Sequence, residues 1–128
     1  MPITYSIIET ERLIVEVWRA DVDISTLVAH WQKYLTDQRV LAVRRTLVDL
    51  RQAQIKFSAH ELEDSINQVV VPLLNGRDWA TALLVKNVDQ FRASTRYQAF
   101  ARRYSNDWVF SDVDAATAWL MKQELRAP

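Results

Sequence analysis

Between Asp49 and Glu61 the chain gathers the side chains from which a hydrolytic site could be built. Asp49 and Arg51 close the apolar run Thr46 to Leu50, and Ser58, His60 and Glu61 follow a polar turn. A nucleophile, base and orienting acid could be written from Ser58, His60 and Asp49. The spacing opposes it, because residues two apart at a helix start point in different directions. Ser58 with Glu61 has instead the spacing of a capping box. There the hydroxyl accepts from the amide three residues on, and the carboxylate accepts from the serine amide. The two histidines, His30 and His60, offer no metal-ligand spacing on their own helices, apart from Glu61 and Asp64 beside His60. With no cysteine in the chain, thiolate sites and disulfides are excluded. No metal, cofactor or catalytic constellation is expected, and the chain reads as a non-enzyme.

The lone glycine, Gly76, sharpens the exclusions. Phosphate-cradling loops need glycine dihedrals and close backbone approach, so Walker, Rossmann and nucleophile-elbow motifs are absent. Sixteen basic residues balance sixteen acidic ones, which removes a global pull toward nucleic acid. The opening Met1-Pro2-Ile3-Thr4-Tyr5 has no signal-peptide character, and no apolar run approaches a membrane span. A cytoplasmic location is expected.

The elements that must position these residues form one domain over residues 1–128. Tyr5–Ile8 and Arg12–Trp18 read as a hairpin, with Leu13, Val15 and Val17 on one face and Arg12, Ile14 and Glu16 on a more polar one. Ile24, Leu27, Val28, Trp31 and Leu35 make the apolar stripe of a first helix. Thr46–Leu50 is a central strand covered on both faces. A second helix from Ser58 buries Leu62, Ile66, Val69, Val70 and Leu73. Pro72 kinks it, and Asn75-Gly76 ends it. Trp79–Val85 is the next strand, Asp89–Ser105 a third helix, Asp107–Phe110 a last strand, and Ser111-Asp112 starts a final helix to about Leu125. The order β-β-α-β-α-β-α-β-α predicts an α/β fold: a single mixed, mostly parallel sheet of about five strands flanked by four helices.

That order, with Leu47-Val48-Asp49-Leu50-Arg51 as central strand, Thr81-Ala82-Leu83-Leu84-Val85 as the next and the ending Val109-Phe110-Ser111-Asp112-Val113-Asp114, resembles the SpoIIAA-like, STAS-type family of small bacterial domains. The resemblance implies an architecture shared with CRAL-TRIO carriers and a role in protein–protein contact. Better understood relatives are anti-sigma-factor antagonists phosphorylated on a serine at the helix start, the region Ser58 occupies here. The glycine of their Asp-Ser-Ser-Gly motif is missing from this chain.

In such a sheet, ligands bind beyond the carboxyl ends of the parallel strands. Arg19, Asp49, Arg51, Ser58, Lys86 and Asp112 therefore form the expected binding rim. Helix caps at Asp23, Ser58, Asp89 and Asp112 are mostly acidic and oppose a phosphate ligand. Arg92, Arg96 and Arg103 form a basic stripe on the third helix, with Arg102 beside it, suited to an acidic partner. Of five tryptophans, Trp31 and Trp119 fit core faces, while Trp18, Trp79 and Trp108 lie at strand ends. The leading expectation is a protein-binding regulatory module, self-associating as a homodimer or holding a protein partner. The alternative is a carrier of a small apolar or amphipathic ligand, in a pocket between the Pro72-kinked helix and the third helix.

Overall fold

Two antiparallel strands joined by one 3-10 turn open the chain in the computed structural model, which describes residues 1–126. They are β1 (Ile3–Ile8) and β2 (Leu13–Val22). The helix α1 (Ile24–Tyr34) follows, capped by the Asp23 side chain on the Thr26 amide. A short helix the sequence did not announce, α2 (Gln38–Val43), leads into β3 (Arg45–Ile55). Next come α3 (Ala59–Ser65), a wide π turn over Ile66–Val70, and α4 (Val71–Leu74). The chain closes with β4 (Ala80–Leu84), α5 (Val88–Ala101), β5 (Asn106–Phe110) and α6 (Val113–Met121).

The sheet order is β1-β2-β3-β4-β5, antiparallel at β1/β2 and parallel elsewhere, so the mixed α/β sheet expected from the sequence is what forms. The larger core lies on the face covered by α1 to α5. On the other face α6 packs Ala116 and Leu120 against Leu13, Leu47, Ala80, Ala82 and Leu84. No helix among the described residues is long and apolar enough to cross a membrane.

Several local readings need correction. Ile14 and Glu16 face the larger core, fully buried with Trp18, so the supposed polar face of β2 is its inner face. The polar residue was misleading because its carboxylate is satisfied inside. β3 runs on to Ile55 and β2 to Val22, so Arg19, Asp49 and Arg51 lie within strands and not at their ends. The pairing slips between Val17/Asp49 and Arg19/Gln52, a bulge that inserts one extra residue in β3. This slip is why Leu50 and Ala53, three apart, both face the core. The cap of α5 is Asn87, which accepts from the Gln90 amide; Asp89 lies in the first turn. α5 ends at Ala101, so Arg103 is not on the helical stripe of Arg92 and Arg96. α6 stops at Met121, not near Leu125. Among the strand-end tryptophans, Trp18 and Trp79 are buried, while Trp108 is 53% exposed.

The second helix behaves as its proline requires. A ring at Pro72 would clash with the carbonyl of an α-turn and cannot donate to it. The turn before it widens, the Val71 amide bonding Ile66 five residues back. Asn75 and Gly76 then take left-handed dihedrals, φ 50° and 76°, and end the helix.

Candidate functional site

One candidate site lies within the larger core. A cavity of about 60 Å³ lies between the sheet and the helices α1, α3–α4 and α5. That is room for about four waters, or an organic molecule of similar heavy-atom count. Trp18 and Trp79 line it from the strand side, Trp31 and Tyr34 from α1, and Tyr97 from α5, with Leu62, Val70 and Leu74 from the kinked helix. Val70 and Leu74, four residues apart and so on one face, are both presented inward.

Polar groups interrupt this wall in two clusters, which meet where Thr46 and Thr81 pair across β3 and β4. In the first, Glu16 is 4% exposed and accepts from the Trp18 indole at 2.7 Å. Its other oxygen meets His30 Nε2 at 2.8 Å. His30 stacks on Tyr34, with ring centroids 5.0 Å apart, and meets Tyr5 edge-on at 5.9 Å. Tyr34 shares a hydrogen bond with Thr46, whose hydroxyl also accepts from the Trp79 indole at 3.3 Å. Burial pushes the Tyr34 phenol well above its ordinary value, and the Glu16 charge adds to it. Tyr5 donates to Asp37 at 2.8 Å, and burial with that bond raises it to about 12.

In the second cluster, Thr81, Ser94 and Ser105 line the cavity. Ser94 is 2% exposed, and its hydroxyl has no hydrogen-bond partner. Immediately behind lies Asp107, 3% exposed. One carboxylate oxygen accepts from Ser105 at 2.5 Å; the other has no partner. Burial pushes this carboxyl up to about 7, against the opposing pull of the Ser105 and Thr81 hydroxyls. The Tyr97 phenol is held well above its ordinary value by burial and by the Asp107 and Glu16 charges. Unpartnered buried polar atoms are uncommon and costly, about 1–3 kcal/mol each. Gln90, one turn before Ser94 on the same buried face, shows the usual outcome. Its side chain accepts from the Lys86 amide and donates to the Ala53 carbonyl, both at 2.9 Å.

The residues of the expected rim are placed as follows. Asp49 and Arg51 form a two-pronged pair, both contacts 3.0 Å, and Asp49 also accepts from the Arg51 amide at the bulge. Partial burial would raise the Asp49 carboxyl, but the Arg51 bonds and the nearby Arg19 charge bring it below its ordinary value. Ser58 accepts from the Glu61 amide at 3.1 Å while Glu61 accepts from the Ser58 amide at 2.9 Å, a complete capping box. Asp112 caps α6 through the Ala115 amide. Lys86 is exposed and forms no ion pair among the described residues. Only Arg19, Asp49 and Arg51 are brought together. Arg92 and Arg96 border an open groove with Ser58 and Asp89, whereas Arg103 borders a different groove with Arg102 and Asp107.

The sequence reading missed Glu16, Ser94 and Asp107. Each carried a signal: a polar residue in step with buried neighbours. Glu16 sits between Ile14 and Trp18 at strand spacing, Ser94 between Gln90 and Tyr97 at helical spacing, and Asp107 two residues before Val109.

No protein-family model matches the chain, and a search of curated proteins finds no relative. Among solved structures, it is similar to an uncharacterised protein of the DUF3478 family with a SpoIIAA-like fold from Shewanella loihica PV-4. The two share 17% identity over 92% of this chain and 93% of the other, with a TM-score of 0.62. The chain therefore has the SpoIIAA-like fold its sequence suggested.

Proposed function

We propose that this protein is a non-enzymatic SpoIIAA-like binding module whose ligand is a small amphipathic molecule held in the internal cavity. One observation supports this most: the Ser94 hydroxyl, buried without a partner in the wall of an aromatic-lined cavity. A wall built only for packing would be filled, or its polar atoms bonded, as Gln90 is. Pockets that combine an apolar lining with a few convergent polar groups are how small ligands are bound and oriented.

The ligand-carrier reading is favoured over protein–protein contact because the carboxylates and the hydroxyl of the expected rim are occupied by their own bonds. Asp49 and Arg51 pin the β3 bulge, and Ser58 and Asp112 are helix caps. Catalysis is not proposed, since both Glu16 oxygens are engaged by Trp18 and His30.

The test is native mass spectrometry of the gently purified protein, beside a Ser94→Leu variant that fills the cavity. The wild type should retain or take up small amphiphiles of the screened panel, and the filled variant should not. Identical spectra for the two proteins across the panel would contradict the proposal.

A further inference from the structure

Accepting the internal cavity as a ligand site, we infer that its ligand class is the small organic cation, a primary or methylated ammonium. Three features of the wall converge on that choice. No lysine or arginine lines the cavity, while Glu16 does, its oxygens held by Trp18 and His30, and Asp107, outside the lining, accepts from the lining residue Ser105 and is the register partner of Thr81. Within the described residues Asp107 forms no ion pair, the arginines Arg102 and Arg103 of the outer groove included, so its ionised form is a buried charge that a cation on the cavity side would compensate. Aromatic side chains supply part of the remaining wall, beside aliphatic ones. Trp31 and Tyr97 lie with ring centroids 6.5 Å apart, and Tyr34 and Trp79 at 5.8 Å. Aromatic rings attract a cation through their negative faces, the more so when water is excluded.

The polar atoms give the ammonium its hydrogen bonds. An N–H donor satisfies the free lone pairs of Ser94 Oγ, whose own proton then turns toward another acceptor. The field of Asp107 lies on the same side. An anion finds the opposite conditions: the Glu16 carboxylate in the wall, Asp107 next to it through Ser105, and no lysine or arginine in the lining. A neutral alcohol can bond Ser94 but leaves Asp107 uncompensated.

Isobutylammonium, isobutanol and isobutyrate share one carbon skeleton and differ in charge. Their binding is measured at pH 8 from the indole N–H signals of the five tryptophans in nitrogen-edited NMR spectra of the full chain. The expected order is isobutylammonium tighter than isobutanol by about tenfold, with isobutyrate unbound. Asp107→Asn should remove most of the preference for the cation while leaving isobutanol bound. Should that variant fail to fold, the order of the three ligands on the wild type decides alone. Equal or tighter binding of isobutanol, or preference for isobutyrate, overturns the cation assignment and leaves the cavity as a ligand site. If none of the three shifts the signals of Trp31 and Trp79, and Ser94→Leu shows the same, both readings fall.

Discussion

Asp107 is the group whose protonation should leave the largest trace on stability. Its carboxyl is raised by burial from 3.8 to about 7. Between those values the folded protein binds more protons at this site than the unfolded chain does. Stability at this site is therefore full below about pH 4 and is lost as pH rises toward and through 7. The gap corresponds to about 4 kcal/mol, a large share of the total stability of a domain this size. Asp107→Asn removes the titration while keeping an oxygen to accept from Ser105. The new amide nitrogen replaces an oxygen that already lacked a partner, so at pH 4 the variant should equal the wild type or fall below it by about 1–3 kcal/mol. Urea unfolding of both proteins, followed by tryptophan fluorescence from pH 4 to 8, gives the difference directly. The stability of the variant relative to wild type should climb by about 4 kcal/mol across that range. Parallel profiles, within about 1 kcal/mol at every pH, would refute the burial argument and show that Asp107 ionises freely.

Other changes separate structural residues from site residues. Ser58→Ala should cost about 1 kcal/mol through loss of the cap, with Ser58→Thr retaining most of it, as read from urea midpoints. Asp49→Ala should cost about 1–2 kcal/mol by freeing the Arg51 amide at the bulge, without changing ligand binding in the cavity. Glu16→Ala should cost about 3–5 kcal/mol, because it strands His30 and the Trp18 indole in the core. Ser94→Ala should leave stability unchanged or raise it by about 1 kcal/mol, since the lost hydroxyl had no partner.

The alternation of apolar and polar residues and the helix caps made the fold legible in the sequence. Asp23, Ser58 and Asp112 cap as their types predict, and Pro72 with Asn75-Gly76 shapes the second helix as its chemistry requires. Element ends were less legible. β3 continues through Arg51, Gln52 and Gln54 because β2 runs beside it as far as Val22, a long-range pairing that local polarity conceals. The site was hidden for a related reason. A rule that sends polar residues outward assigns Glu16 to solvent, and it cannot know that His30, fourteen residues on, will meet it. Ser94 and Asp107 come from α5 and β5, and only the crossover that packs α5 against β5 brings them to the same side of the cavity, Ser94 in its wall and Asp107 behind Ser105.

The ammonium site can be seen outright in a high-resolution crystal structure of the wild-type protein grown with isobutylammonium. Density for the bound molecule is expected in the cavity, its nitrogen about 3 Å from Ser94 Oγ and its carbons against the side chains of Trp31, Trp79 and Tyr97. A cavity that holds only ordered water bonded to Ser94 and Asp107, in crystals containing saturating ligand, would contradict it.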